Sequence, residues 1–446
     1  MQGNNWKLSV DHYGKIEHAD IEMAPLTVFV GDNNSGKSYL MTLIYGLLTL
    51  PAFILFGGMK FESKVEKDAR DFILAYKGQS HLLSEQELQI LENLLNKQLQ
   101  HNKKHILPFL FNRQVKIDRL TISLDYHAGF SLFFDEQKED DGTPLQIVFP
   151  EWSKEGPNSG YAYHMENPED EELEWILCTI LQYLLRKTYN EYSKKGDVVY
   201  FPVARTGFLL TYKDLTGNAI NEKYSNEKPD QKDFLTKPNR DFINKLARLS
   251  ADNRTEKNQS LINFIENHLI SGNVITEKTP VMSVAYKPSG ENDTIPLYAT
   301  SAVVTEETPL LLFLQYAELS SIFYEEPEIS LHPALQKEHA RILVRLVNYG
   351  MPVFVTTHSD IVIQHFNNMI RLAKANKSAE LMKSMNYDKE DLLASDQIRV
   401  YQFDVNESQH TKIHQIECGE YGFEVMTFYQ TLRQMTEEID MLEEDE

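Results

Sequence analysis

The chain has 446 residues, with 66 acidic and 44 basic side chains and a net charge of −22. At 42% hydrophobic and 11% aromatic it is not a disordered chain, and its length suits two or three domains' worth of core. The acidity excludes a surface that binds nucleic acid or anionic lipid throughout, and two cysteines, Cys178 and Cys418, exclude a disulfide framework and fit a reducing cytoplasm.

The first residues alternate polar and apolar and lack the apolar core of a signal peptide. Strands are expected at 5–13 and 26–30, then a helix from about Lys37. The uncharged run Tyr39–Met59 has the length of a membrane span. Pro51, Gly57 and Gly58 interrupt it, so it reads as helix buried against a sheet, and no membrane is expected as a partner. A charged helix is expected over Ser84–Gln100, and 115–150 reads as strands with turns at His127–Gly129 and Asp141–Gly142. An apolar helix follows over Leu173–Tyr192, then a buried strand at 198–203. Residues 213–272 are polar and helix-rich, the best candidate for an inserted lobe, and 273–298 return to strand pattern. From Pro309 the order is helix, strand Ser321–Glu325, helix Pro333–Asn348, strand Val353–Thr356, helix Asp360–Leu372, which implies an α/β sheet with mainly parallel strands. A polar helical segment, strands at 398–404 and 410–416, and a helix from Phe423 close the chain.

Three segments carry chemistry. Gly31-Asp32-Asn33-Asn34-Ser35-Gly36-Lys37-Ser38 fits the phosphate-loop pattern GxxxxGK[ST], with a strand before it and a helix after. Gly31 and Gly36 let backbone amides approach phosphate oxygens, Lys37 neutralises β/γ-phosphate charge and Ser38 ligates Mg²⁺. Asn34, Ser35 and Tyr39 complete the expected nucleotide-binding set. The second segment, Ser321 to Glu328 followed by Leu331-His332-Pro333, delivers Glu325 and Glu326 at the C-terminal end of a strand, where open α/β sheets bind ligands. Strand alternation is expected to point them to opposite sides, one toward Mg²⁺ or its water shell and one toward the attacking water. The third, Thr356-Thr357-His358-Ser359-Asp360, sets His358 at the same sheet edge, with Asp360 placed to orient it.

Taken in order, these segments resemble ABC-type ATPases, the class that includes SMC and recombination-repair ATPases. They look most like the OLD-like AAA-family ATPases of bacteria (the AAA_15/AAA_21 type, here without a Toprim domain), whose second motif reads EEPE…LHP as in this chain. The resemblance implies an α/β fold, an ABC-type P-loop ATPase head with a mixed sheet and a largely helical inserted lobe. It implies ATP and Mg²⁺ as cofactors, Glu325 at the metal position, Glu326 as catalytic glutamate and His358 as switch histidine. Tyr200 to Gly207 resembles a PxxRxG segment, which makes Arg205 a nucleotide-site residue, and Ser301 stands where the signature serine would fall, without the usual glycine after it. The implied segments are 1–59 with the phosphate loop, a helical insertion at 60–112, more core at 113–210, a helical lobe at 211–272, the C-terminal core at 273–374, and 375–446 with an acidic tail.

The function expected from this resemblance is a cytoplasmic ATPase that forms a homodimer or higher homo-oligomer on ATP. It would control a partner effector, a nuclease or toxin encoded nearby, as anti-phage defence ATPases do. The alternative is an SMC-like ATP-gated DNA-binding protein, whose groove would draw on Lys97, Lys103, Lys104, Arg186, Lys187, Lys194 and Lys195, although no stretch sustains the heptads of a long coiled coil. Acidic patches at Asp135–Asp141, Glu166–Glu174 and Glu437–Glu446 repel DNA or engage a basic partner protein. Deleting 437–446 should leave ATP turnover unchanged, and a phosphate-release assay that showed its loss would make the tail part of the ATPase.

Overall fold

A computed structural model describes residues 6–75, 81–126, 130–136, 144–148, 161–164, 169–186, 196–224, 235–277, 283–426 and 436–442. The chain divides into two compact units, Met1–Met23 with Thr42–Lys194, and Ala24–Met41 with Lys195–Glu446.

In the first unit, Lys7–Tyr13 and Ile16–Glu22 form an antiparallel hairpin turned by Gly14 at φ +61°, and Arg119–Ser123 pairs with the far side of Lys7–Tyr13. The helix expected over 84–100 runs over Glu85–Phe111. It starts on a capping box, with the Ser84 hydroxyl accepting from the Glu87 amide and the Glu87 carboxylate accepting from the Ser84 amide at 2.7 Å. The run Tyr39–Met59 breaks at Pro51 into the helices Lys37–Thr49 and Ala52–Phe56. Among the described residues no helix is long and apolar enough to cross a membrane.

Three of the basic residues considered for a DNA groove are engaged otherwise, while Lys104 is exposed. Lys97 pairs with the buried Glu66 at 2.6 Å, Lys103 donates to Gln100 and to the Asp118 carbonyl, and Arg186 Nε donates to the Leu48 carbonyl at 3.0 Å. Lys187, Lys194 and Lys195 lie outside the described residues, as do the expected turns at 127–129 and 141–142 and most of the acidic patch Asp135–Asp141.

The second unit is built on six strands: β1 (Leu26–Gly31), β2 (Asp197–Phe201), β3 (Leu319–Glu325), β4 (Val353–Thr356), β5 (Ile398–Val405) and β6 (Thr411–Ile416). Their spatial order is β6-β5-β1-β4-β3-β2. Only the β5/β6 pair is antiparallel, so the sheet is mixed. Strands β1 and β4 are buried along their whole length and β3 along most of it. That explains their continuous apolar sequences, since a parallel sheet is covered by helices on both faces.

The covering helices are α2 (Arg205–Tyr224), α3 (Ala302–Tyr316), α4 (Pro333–Asn348) and α5 (Asp360–Lys374), while α1 (Lys37–Thr49) follows the loop after β1. The α/β architecture with a mixed sheet is therefore as the sequence implied. One boundary is not: α3 was expected from Pro309, which lies inside it. A proline there removes one backbone donor. Val304 to Tyr316 are all buried, so packing outweighs the lost bond. The stretch 213–272 contributes the helices Lys237–Arg248 and Gln259–Ile265, which put Phe242, Leu246, Leu261 and Ile265 into the same core as Ile322 and Tyr324 of β3. The helix expected from Phe423 falls largely on 427–435, outside the described residues.

Gly31 closes β1 at φ +126°, and a Cβ there would sit 2.2 Å from the Phe403 carbonyl oxygen of β5. Gly31→Ala should therefore lower stability by about 1–3 kcal/mol, read as an earlier midpoint in urea unfolding.

Candidate functional site

Parallel pairing puts the C-terminal ends of β1, β4, β3 and β2 at one edge of the sheet, and the three chemical segments follow β1, β3 and β4. After β1 the chain turns through Asn34 at φ +59° and Gly36 at φ +100° into the first turn of α1. Ser35 is buried, Asn34 and Ser38 are exposed, and Tyr39 is half-buried. Lys37 is buried, and its Nζ donates to the Gly31 carbonyl at 3.0 Å, the Asp32 carbonyl at 2.6 Å and Ser35 Oγ at 3.3 Å. Burial lowers its pKa to about 8, against the attraction of Glu326, Asp32 and Glu328. A cation held over amides at a helix N-terminus is an anion cradle.

At the end of β3 the two adjacent carboxylates diverge, but not by strand alternation as expected. Glu325 is the last strand residue, and its carboxylate accepts from the Tyr200 hydroxyl at 2.7 Å and the Val203 amide at 3.1 Å. Glu326 has left the strand with φ +41°. Its amide donates to the Thr356 carbonyl at 2.9 Å and to Thr356 Oγ1 at 3.2 Å. That turn sends its carboxylate toward His358, with Oε1 3.7 Å from Nε2, within reach through one intervening molecule.

Burial and the nearby Lys37 charge lower the His358 pKa, which favours the uncharged imidazole. The residue that receives the His358 backbone amide, at 2.6 Å, is Glu328, while Asp360, expected to orient the ring, begins α5. Burial raises the Glu328 pKa and the Glu326 charge adds to it. Its Oε2 is buried, with the Thr357 side chain and its own backbone amide beside the carboxyl. The rest of the LHP and THS segments is helix capping. His332 Nδ1 accepts from the Ala334 amide ahead of α4, and Ser359 Oγ accepts from the Val362 amide ahead of α5.

Arg205 corrects the expectation of a nucleotide contact. It is 0% exposed. Its guanidinium donates to the carbonyls of Pro202, Glu325 and Glu326 and pairs with Glu306 Oε2 at 2.7 Å. It braces the end of β3 from beneath. Glu306 and Glu307 are buried on α3, and Glu307 pairs with the buried His339 at 2.9 Å. Removing one partner of the Arg205–Glu306 ion pair costs ~3–5 kcal/mol. Ser301 precedes α3 as its N-cap, exposed and making no capping bond with its side chain. Among the described residues no contact joins it to the Lys37 cluster.

The structure thus brings together Lys37, Glu326 and His358, with Gly31, Ser35 and Gly36 shaping the loop. It turns Glu325 toward β2, buries Arg205 below, and sets Ser301 apart. Sequence reading passed over Glu328 and Glu306. The first was visible as a third carboxylate in EEPE, the second as acids inside the apolar run preceding Leu310.

Among the described residues no group of three or more His, Cys, Asp or Glu side chains could hold a metal alone. Mg²⁺ fits the site nonetheless, because it binds through few protein oxygens plus substrate phosphates. Ser38 offers its exposed hydroxyl. Each Glu325 oxygen keeps a second lone pair for a bridging water.

The AAA ATPase domain family (AAA_15) matches residues 96–363, a span with Arg205, Glu325, Glu326 and His358 but not the phosphate loop. No curated protein matches the chain. Among solved structures, an SmcHead bound to the C-winged helix domain of ScpA is 12% identical, with 92% of this chain and 97% of that chain covered and a TM-score of 0.38. The SMC head domain from Thermotoga maritima is 12% identical over 93% of this chain and 99% of that one, with a TM-score of 0.34. An Smc head domain with an extended coiled coil, bound to the C-terminal domain of ScpA derived from Pyrococcus furiosus, is 13% identical over 98% and 100%, with a TM-score of 0.37.

Phosphate is attracted by the protonated form of Lys37, whose pKa near 8 lies below the ordinary 10.5. Affinity for a non-hydrolysable ATP analogue should be fullest below pH 8 and decline as pH rises through 8. Calorimetric titration on both sides of that value checks this, and Lys37→Met should bind weakly without the decline.

Proposed function

The chain belongs to the AAA ATPase domain family, and from that premise we propose that it binds ATP with Mg²⁺ and hydrolyses it at the edge formed by β1, β4 and β3. The observation that carries the reading is the convergence of buried Lys37, Glu326 and His358 from three separate strand ends. The loop amides and Lys37 hold the phosphates. Ser38 and Glu325 would hold Mg²⁺, which would offset charge on the phosphate oxygens. Glu326 accepts a proton from water as that water attacks the γ-phosphorus and the bond to ADP breaks. His358, uncharged, donates a hydrogen bond to a γ-phosphate oxygen without adding a cation beside Lys37.

The reading extends to assembly. Ser301, exposed at the start of α3, meets the nucleotide of a second copy, giving an ATP-dependent homodimer or higher oligomer. That assembly controls a partner effector, a nuclease or toxin with a basic surface, in bacterial anti-phage defence. Its support is the likeness of the EEPE…LHP segment to OLD-like ATPases and the exposed acids at Glu169–Glu171 and Glu437–Asp440.

Glu326→Gln should lower kcat by ~10²–10⁴-fold while ATP binding and the mass of the ATP-bound assembly persist, and Lys37→Ala should lose binding. Phosphate release and light scattering with and without ATP measure both. Unchanged turnover in both variants would sink the assignment.

A further inference from the structure

We propose that Arg205 and Glu306 form a positioning device that holds Glu326 in its strained backbone conformation and ties it to helix α3. The proposal deepens the ATPase reading and rests on it.

A glutamate at φ +41° is in a region that L side chains rarely adopt, and such a conformation persists only where its surroundings over-determine it. The restraint on one side is the Glu326 amide, held by Thr356 of β4. Arg205 supplies the other. Its Nη1 donates to the Glu325 carbonyl at 2.9 Å and its Nη2 to the Glu326 carbonyl at 3.3 Å. The peptide planes on both sides of the Glu326 Cα are thereby fixed, and with them the direction of its side chain.

The guanidinium is fixed in turn. It lies 4.9 Å over the Tyr324 ring, on the strand that ends in Glu325. Nη1 also donates to the Pro202 carbonyl at 3.3 Å, and Nε faces Glu306 Oε2 at 2.7 Å. The second Glu306 oxygen accepts from the Thr206 hydroxyl at 2.7 Å, so both carboxylate oxygens grip the start of α2. A buried guanidinium without this carboxylate would be an uncompensated charge. Glu306 lies on α3, the helix that begins after the exposed Ser301. A shift of α3 therefore moves the anchor of the fork, and the fork sets Glu326. Only a planar fork can do this: lysine is a single ammonium point that cannot span two carbonyls and a carboxylate together.

The test compares Arg205→Lys and Glu306→Gln with the wild type and with Lys37→Ala. ATP turnover, affinity for a non-hydrolysable ATP analogue and thermal midpoint are measured for each. Arg205→Lys should lower kcat on the order of 100-fold at unchanged KM and analogue affinity, in protein still folded at assay temperature. Glu306→Gln should move kcat the same way by less, and the double variant should be no worse than Arg205→Lys alone, because both act through one path. Wild-type kcat in folded Arg205→Lys would overturn the proposal, as would a loss of affinity that matches the loss of turnover. If Arg205→Lys does not fold, the near-isosteric Glu306→Gln decides, and full turnover there overturns it. A wild type that turns over no ATP defeats the ATPase reading and this proposal together, whereas an active wild type with unaffected variants defeats this proposal alone.

Discussion

The second unit depends on one constraint: β1, β4, β3 and β2 run parallel and side by side. Parallel neighbours finish at the same edge, so Gly31, Phe201, Glu325 and Thr356 arrive together although they are far apart in the chain. The order matters as much as the direction. With β4 between β1 and β3, the segment carrying His358 is interposed between the phosphate loop and the carboxylates. Such a sheet is stable only when helices bury both faces, hence the unbroken apolar strands and the burial of α3 from Val304 to Tyr316. It also leaves no room for a side chain at Gly31, where the β5 backbone passes.

Charge inside this framework obeys a second rule, that a buried ion needs a partner. Glu306 meets the Arg205 cation and Glu307 shares a hydrogen bond with His339, and both contacts pin α3 to its neighbours. Lys37 is paid for differently, with loop carbonyls around its ammonium and carboxylates nearby, at the cost of a lowered pKa. An overall charge of −22 is compatible with a polyphosphate ligand because the cradle acts locally, through amides and one lysine, while acids such as Glu171 and Glu437 are exposed.

Much of this was legible in the sequence. The phosphate loop, the EEPE…LHP segment and the histidine after β4 are contiguous, and a contiguous motif carries its own local geometry. The alternation of helices and strands from α3 to α5 was readable for the same reason, because hydrophobic periodicity is a local signal. The failures share a cause. Arg205 was expected at the nucleotide because its segment resembles PxxRxG, but a segment reveals nothing of its surroundings, and those come from α3 and β3, about a hundred residues away. Pro309 looked like a helix start because propensity says so, but packing around α3 outweighs one missing donor. Glu325 and Glu326 were expected to alternate as strand residues, and the turn that separates them depends on Thr356 of another strand.

The sequence by itself determined the fold class and which segments bring the lysine, the acids and the imidazole, because each is written in consecutive residues and in strand and helix periods. Tertiary structure alone decided how those groups are aimed: Glu325 toward Tyr200, Glu326 toward His358, Glu328 onto the His358 amide, and Arg205 beneath them all. The physical reason is that side-chain direction at a strand end is fixed by hydrogen bonds and buried charge pairs across the sheet, and those partners are chosen by topology rather than by neighbours in sequence.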